Sequence, residues 1–290
     1  MKVLVCIPAR YGSTRFPAKV LAKNTGKFLI QHTWEQACLA RLVDKVIIAA
    51  DDKRIVAAAN TFGAECILTS AEHKSGTDRI AEAVADIDVD IVVNLQADEP
   101  EIDPENIDYL AQLLIKNPDY QMATLAADFQ SAEQIADANI VKVIISSCVP
   151  SATLRTSVRD AYRVKEKMDS CFHRNDNTQY EIRNTKYEIG QAIYFSRAPI
   201  PYDREKSGVG KVQQYLRHIG IYAYRKELLL KITASPQTPL EKIEKLEQLR
   251  AIENGYSILV GKVEHTCDGI DTPQQYDAFV KRWTESTGKH

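Results

Sequence analysis

The 290-residue sequence predicts an α/β protein with a doubly wound, mostly parallel β-sheet. Short apolar runs rich in Val and Ile alternate with segments of helical spacing, and capping residues mark several helix starts. Continuous apolar runs are typical of parallel strands covered on both faces, and the alternation predicts a helix after each strand. Such a sheet binds ligands beyond the carboxyl ends of its strands.

The strands are predicted from short runs of β-branched residues. Four runs come early in the chain, at Val3–Ile7, Val46–Ala50, Cys66–Thr69 and Ile91–Leu95. Three more follow at Val141–Ile145, Ala192–Ser196 and Ile219–Tyr224. Because each run is short and uninterrupted, a strand is a better interpretation than a helix.

The helices are predicted from hydrophobic spacing and from their first residues. Helical spacing follows Leu29 as far as Leu42, continues from Ile55 to a stop at Gly63, and recurs over Ile80–Ala85. A long helix is predicted from Pro239 to about Glu253. Capping boxes and prolines that suit a first helical turn mark further starts; they are Ser131 with Gln134, Thr238 with Glu241, Thr272 with Gln275, and Pro104, Pro239 and Pro273.

One stretch breaks the pattern. Residues 146–189 are polar, rich in Arg, Asp and Asn, and have no clean period. We therefore predict a single domain over residues 1–290 with an inserted lobe at about 146–225, whose extra segment lies near 146–189.

The composition excludes several classes of protein. The formal net charge of −2 gives no general attraction to nucleic acid or anionic membrane. No apolar run approaches the roughly 20 residues of a membrane span. The six cysteines lack zinc-ligand spacing and are expected to be reduced thiols, so we expect a cytoplasmic protein.

A basic loop follows the first predicted strand. Arg10, Arg15 and Lys19 lie in a stretch with small residues such as Ser13. Local cations and exposed amides suit a triphosphate, whose charge must be balanced as pyrophosphate leaves. The loop has neither Walker spacing nor Gly-x-Gly-x-x-Gly, which disfavours a P-loop kinase and a dinucleotide dehydrogenase. The alternative is a solvated basic loop.

Two acids are candidate magnesium ligands. Asp98 follows the strand Ile91–Leu95, and Asp271 stands at a late strand-to-helix turn. Carboxylate oxygens near a triphosphate suit a hard cation that bridges phosphate oxygens and the incoming hydroxyl. The alternatives are an acid in a turn before proline for Asp98, and an acid that favours a helix dipole for Asp271.

A third segment, His73 to Arg79, places a small Ser-Gly turn before a helix. Ser75 and Gly76 are predicted to contact a base edge, with Arg79 near a phosphate or ribose. Capping of the helix by Thr77 is a further possibility, compatible with the first.

Taken in order, seven motifs resemble the 3-deoxy-manno-octulosonate (Kdo) cytidylyltransferases, also called CMP-Kdo synthetases. The resemblance runs from the first strand to the last helix, apart from residues near 146–189. The motifs are Pro8-Ala9-Arg10-Tyr11-x-Ser13-Thr14-Arg15, His73-x-Ser75-Gly76-Thr77-Asp78-Arg79, Asp98-Glu99-Pro100, Tyr194-Phe195-Ser196-Arg197-Ala198, Arg217-His218-x-Gly220-x-Tyr222-x-Tyr224-Arg225, Leu246-Glu247-Gln248-Leu249-Arg250 and Asp271-Thr272-Pro273.

This resemblance implies a nucleotide-diphospho-sugar transferase-like fold whose inserted lobe serves dimerisation and sugar binding. It implies a homodimer that uses CTP, Mg²⁺ and an acidic 3-deoxy-ulosonate sugar for lipopolysaccharide synthesis. It also implies roles by position. The nucleotide residues are Arg10, Ser13, Lys19, Ser75, Gly76 and Arg79; the metal residues are Asp98 and Asp271; the sugar residues are Gln96, Arg197, His218, Tyr222, Glu247 and Gln248.

By itself, the sequence favours packing roles for some of these sugar residues. Glu247 and Gln248 suit the polar face of a helix, and His218 and Tyr222 suit a packed strand. Three positions depart from the family's usual residues, since Ala18 and Ala97 replace glycine and Val20 replaces proline. These departures and the extra segment leave a modified Kdo, such as an amino-substituted analogue, as an alternative sugar.

The expected reaction is a direct in-line attack by the sugar's anomeric hydroxyl on the α-phosphorus of CTP. Arg10, Lys19, Asp98 and Asp271 are the predicted catalytic residues, and Arg197 is the predicted partner of the sugar carboxylate. Two other functions stay open: transfer to a sialic- or legionaminic-type sugar, and a non-catalytic nucleotide sensor.

Overall fold

The computed structural model describes residues 1–13, 15–146, 189–264, 266 and 269–288. Its nine strands are β1 Val3–Ala9, β2 Lys45–Ala50, β3 Glu65–Leu68, β4 Ile91–Asn94, β5 Met122–Asp128, β6 Lys142–Ser146, β7 Ile189–Ser196, β8 Leu216–Arg225 and β9 Ile258–Lys262. The α-helices of the same residues are α1 Leu29–Leu39, α2 Lys53–Thr61, α3 Gly76–Val84, α4 Pro104–Lys116, α5 Ala132–Ala136, α6 Lys226–Ala234, α7 Pro239–Glu244, α8 Gln248–Glu253 and α9 Pro273–Thr287.

All nine strands form one sheet, in the order β3-β2-β1-β4-β8-β5-β9-β7-β6. The α/β class and the parallel arrangement of β1 to β4 are confirmed. The prediction of a mostly parallel sheet is wrong, because five of the nine pairings among the described strands are antiparallel. Strand β8 causes much of the difference, since it runs antiparallel to β4, β5 and β6.

Helices cover both faces of the sheet. Successive residues of a strand point to opposite faces, so Leu4 and Val5 of β1 belong to different hydrophobic clusters. The Val5 cluster includes side chains of α1, α2 and α4, and the Leu4 cluster includes side chains of α3, α6 and α8. This two-sided burial explains why the early strands have no polar alternation.

The predicted lobe is only partly described. Strands β7 and β8 fall within residues 146–225, yet both belong to the nine-stranded sheet. The extra segment lies almost wholly outside the described residues. A separate lobe, with its part in dimerisation and sugar binding, therefore stays a prediction.

The predicted helix starts are correct, but one predicted helix is two separate helices. Pro104, Pro239 and Pro273 each stand in a first helical turn, and Ser131, Thr238 and Thr272 are N-caps. The predicted helix from Pro239 to Glu253 is divided into α7 and α8. Lys245 ends α7 in the left-handed region, with φ of 55°. The turn brings Glu244 to the Ser196 hydroxyl, at 2.7 Å, a tertiary contact that hydrophobic spacing cannot reveal.

Two strands, β5 and β9, were not predicted. The β5 segment Met122–Asp128 contains three alanines, which have low β-propensity. It forms a strand because β8 and β9 pair with it on either side.

The strand order places two motif loops together. β1 and β4 are neighbouring parallel strands, so their carboxyl ends meet at one edge of the sheet. The basic loop follows β1, and the segment with Gln96 and Asp98 follows β4. No helix in the described part of the chain is long and apolar enough to span a membrane.

A buried histidine joins α1 to α9. His32 is 2% exposed, its Nε2 lies 2.7 Å from Thr25 Oγ1, and its ring packs edge-on against Phe279 and Trp283. Burial lowers the pKa of His32 from 6.5 to about 4. The imidazole is therefore neutral at pH 7, and α9 packs against an uncharged ring.

We expect the free energy of unfolding to fall as the pH drops from 7 to 5. Over this range the unfolded chain protonates His32 and the folded chain does not, so acid favours unfolding by about 2 kcal/mol at this residue. Urea unfolding at pH 7 and at pH 5 should show that the free energy of unfolding falls less in His32→Gln than in wild type. His218, whose pKa burial lowers to about 3, adds a loss of the same sign to both proteins. Equal losses in the two proteins would contradict the role of His32.

Candidate active site

A cleft of about 360 Å³ lies at the carboxyl ends of β1 and β4. It brings together the basic loop, the start of α3, the β4 loop and the turn before α9. Every predicted nucleotide and metal residue lines it, together with Gln96 and Glu247 from the predicted sugar set. The lining residues are Pro8, Ala9, Arg10, Ser13, Arg15, Lys19, Val20, His73, Lys74, Ser75, Gly76, Arg79, Gln96, Ala97, Asp98, Glu247 and Asp271.

One ammonium group joins the two predicted metal acids. Lys19 Nζ lies 2.6 Å from Asp98 Oδ2 and 3.0 Å from Asp271 Oδ1. Lys19 is 9% exposed, whereas the side chains of Asp98 and Asp271 are 25% and 45% exposed, so the ammonium group is the buried partner of the contact. The two carboxylates, 173 positions apart in the chain, thus face one cation across the cleft.

Further contacts hold the two acid-bearing turns in place. The Ile270 amide donates to the Asp98 carbonyl at 2.8 Å, and Arg15 pairs with Asp271 at 2.9 Å. Ile270 packs in an apolar cluster with Tyr276 and Phe279 of α9. The position of Asp271 is therefore fixed by packing on one side and by ion pairs on the other.

Glu99, next to Asp98, is a buried carboxyl group. It is 8% exposed, and burial, assisted by the charge of Asp98, raises its pKa to about 8. Its Oε2 has no hydrogen-bond partner among the described residues. Near pH 7 this side chain is mainly protonated, so the charge beside the cleft comes from Asp98.

The start of α3 forms another wall. Ser75 is the N-cap, and its hydroxyl accepts from the Asp78 amide at 3.1 Å. Capping by Thr77 is therefore wrong. Gly76 begins the helix so close to β1 that a Cβ would lie 3.1 Å from Pro8 Cγ. The free amides of this first turn suit an anionic ligand.

Arg79 is placed differently from the other cations. It lines the cleft but is only 4% exposed. Its guanidinium donates to Thr69 Oγ1 at 2.7 Å and to the Ser70 carbonyl at 3.1 Å. Arg10, in contrast, is exposed. The basic loop therefore offers a more accessible charge than α3 does.

The predicted sugar residues divide into two groups. Gln96 and Glu247 line the cleft, whereas Arg197, His218, Tyr222 and Gln248 do not. Arg197 donates from Nε to the Glu244 carbonyl at 2.7 Å and from Nη1 to the Ala138 carbonyl at 3.0 Å. These hydrogen bonds occupy guanidinium N–H groups of Arg197 that a sugar carboxylate would need as donors.

The other three lie behind the cleft. His218 is 9% exposed and its Nε2 is 2.9 Å from Thr124 Oγ1. Its ring packs against Tyr222, whose pKa is raised mainly by burial and further by Tyr224 and Glu247. Gln248 is 4% exposed, and its Nε2 lacks a hydrogen-bond partner in the described structure. Their predicted roles stay predictions.

Proteins of known family match nearly the whole length of this chain. A family model described as cytidylyltransferase matches residues 4–258. The 3-deoxy-manno-octulosonate cytidylyltransferase of Solibacter usitatus (strain Ellin6076) is 40% identical over 285 residues, which cover 98% of this chain and 96% of that protein. The chain belongs to the 3-deoxy-manno-octulosonate cytidylyltransferase family. A relative of the same name from Thermodesulfovibrio yellowstonii (strain ATCC 51303 / DSM 11347 / YP87) is also 40% identical, with 96% of this chain and 97% of the relative covered.

Solved structures extend the relation to the cytidylyltransferase fold. The structure of CMP:2-keto-3-deoxy-manno-octonic acid synthetase complexed with CTP is 34% identical, with a TM-score of 0.79. The match covers 99% of this chain and 100% of that one. A 4-diphosphocytidyl-2C-methyl-D-erythritol synthase from Anaerococcus prevotii is only 10% identical, with a TM-score of 0.57 and coverage of 98% and 96%, and shares the fold alone.

Three residues of this chain depart from those usual in its cytidylyltransferase family, and at Ala18 the structure shows why the family has glycine. Ala18 has φ of 52° and ψ of 27°, the left-handed region that favours the family's usual glycine. Alanine costs about 1 kcal/mol there. The strained residue directly precedes Lys19, so it helps to set where the ammonium group stands. Val20, in place of proline, is 4% exposed and packs in the core.

Some cleft interactions of this family member were not predicted from its sequence. Arg15 was identified as a loop cation, but its pairing with Asp271 was not. Thr77 and Asn94, which hydrogen-bond behind the cleft wall, were given no part in the site. Their small polar side chains give no distinctive signal in the sequence.

Proposed function

We propose that this chain transfers CMP from CTP to the anomeric hydroxyl of Kdo or a modified Kdo, with release of pyrophosphate. The convergence of Asp98 and Asp271 on Lys19 of the basic loop carries the proposal. The 34% identical synthetase complexed with CTP supports the choice of nucleotide, and the relatives' names support the choice of sugar.

The chain's own residues suit a phosphoryl transfer without a covalent intermediate. Arg10 and Ser13 hold the phosphates at the end of β1, and Ser75, Gly76 and Arg79 complete the nucleotide site at the start of α3. Lys19 stabilises charge on the phosphates as pyrophosphate leaves. The sugar oxygen bonds to the α-phosphorus, the bond from that phosphorus to the pyrophosphate oxygen breaks, and the hydroxyl proton passes to water.

The acid pair fits a magnesium ion. Mg²⁺ is commonly held by one or two carboxylates plus substrate phosphates, and both acids here face one positive charge. Asp98 and Asp271 would hold the ion, which would polarise the phosphate and favour the ionised hydroxyl.

The sugar is proposed to lie between Gln96 and Glu247, the two members of the sugar set that line the cleft. We further propose a homodimer in the cytoplasm whose product serves lipopolysaccharide synthesis.

A coupled pyrophosphate assay tests this function. Wild-type protein is given CTP with Kdo, its amino analogue or a sialic-type sugar, each with and without Mg²⁺. We expect pyrophosphate release with Kdo or its analogue, dependent on Mg²⁺. Tight CTP binding without release across the panel would contradict the proposal and indicate a nucleotide sensor.

We expect Gly76→Ala to weaken CTP binding about fivefold or more, because overpacking moves Pro8 or the first turn of α3. Titration calorimetry with CTP measures the Kd. Gly12→Ala is a control in the basic loop, since a Cβ on Gly12 would meet nothing within 4 Å. Equal CTP affinity in Gly76→Ala and wild type would contradict the close approach of α3 to the nucleotide.

A further inference from the structure

The Thr77 hydroxyl lies behind the cleft wall, in the first turn of α3. Thr77 is 9% exposed and does not line the cleft. Its Oγ1 donates to Glu247 Oε2 at 2.7 Å and accepts from Asn94 Nδ2 at 3.4 Å. A hydroxyl has one donor and two acceptor sites, so these two partners use the donor and one acceptor site.

This hydroxyl connects two residues that do line the cleft. Asn94, 2% exposed at the end of β4, accepts from Gln96 Nε2 at 2.8 Å through its Oδ1. A continuous series of hydrogen bonds therefore runs from Gln96 through Asn94 and Thr77 to Glu247. It joins the β4 loop to the turn before α8. Buried hydrogen bonds of this kind restrict the orientations of the side chains that they join.

The network serves one side of the cleft. Gln96 and Glu247 are the two cleft residues proposed to meet the sugar. Lys19 is bonded to Asp98 and Asp271 instead. Ser75 caps α3, whereas Thr77 does not. Loss of the Thr77 hydroxyl should therefore affect the sugar side selectively.

We propose that Thr77 is a positioning residue that sets the orientation of Glu247 and Gln96 toward the acceptor sugar. The inference rests on the proposed function. Without the hydroxyl, Glu247 loses its shortest described contact and Asn94 loses its link to α8. The sugar then meets side chains that are free to rotate.

The test compares a substitution that removes the hydroxyl with one that keeps it. Thr77→Val keeps the β-branched side chain and removes the hydroxyl, whereas Thr77→Ser keeps the hydroxyl. We expect Thr77→Val to raise the KM for Kdo about 10- to 100-fold, with the KM for CTP changed by about twofold or less. Thr77→Ser should stay within about threefold of wild type for both substrates. If valine prevents folding, Thr77→Ala provides the same comparison.

A double-mutant cycle shows whether Thr77 acts through Glu247. In a Glu247→Ala background, Thr77→Val should raise the KM for Kdo by about twofold or less, since the group that it positions is absent. Equal KM values for the valine and serine variants, a parallel rise of both KM values, or multiplicative effects in the cycle would overturn the inference. Absence of turnover by wild type would overturn the proposed function and this inference together.

Discussion

Asp98→Asn is expected to reduce kcat by about 10³-fold or more while the protein remains folded. The amide keeps the size of the carboxylate and removes its charge. Under the proposed function, Asp98 would then no longer hold a magnesium ion together with Asp271, and charge on the reacting phosphate would lose that stabilisation. The Ile270 amide still has the Asp98 carbonyl as its partner, so the backbone link between the two turns remains.

The measurement is steady-state pyrophosphate release at saturating Mg²⁺ and CTP, with circular dichroism as the check on folding. Asp277→Asn, on the exposed side of α9, is the matched control and should retain wild-type kcat. A folded Asp98→Asn variant with near-normal turnover would rule out the metal role of this carboxylate.

Lys19→Met is expected to reduce kcat about 10²- to 10³-fold, because it removes a buried positive charge from the phosphate side of the cleft. The same change should strengthen the binding of divalent cations to the nucleotide-free protein. Lys19 Nζ lies within 3.0 Å of both carboxylates, so a divalent ion must compete with it. Methionine preserves most of the side-chain length without that competition.

Binding of Mn²⁺, followed by electron paramagnetic resonance without CTP, separates this effect from turnover. We expect the Kd for Mn²⁺ to fall by about tenfold in Lys19→Met. Lys281→Met, which changes an exposed residue of α9, should leave both kcat and the Mn²⁺ affinity unchanged. Weaker Mn²⁺ binding in Lys19→Met would show that the ammonium group does not compete for the acid pair.

The local signals were sufficient for much of the fold. Continuous apolar runs identified β1, β2 and β4, because strands buried on both faces need no polar alternation. The prolines that begin α4, α7 and α9 marked true helix starts, because a first-turn proline sacrifices no intrahelical hydrogen bond. Strand direction was not predictable in the same way. The Ile219–Tyr224 part of β8 has no charged residue, like the early parallel strands, but β8 runs antiparallel between β4 and β5.

For the cleft, the order of residues along the chain was enough to predict which kinds of group are present. It identified cations after β1, an acid after β4 and a small Ser-Gly turn before α3, since these are local features. Which of these groups meet depends on tertiary packing. Asp98 and Asp271 converge on Lys19, while Arg197 and His218 are engaged elsewhere, because packing of distant segments sets these distances. The left-handed backbone at Ala18 and the break at Lys245 have the same origin, since tertiary contacts there outweigh local preference.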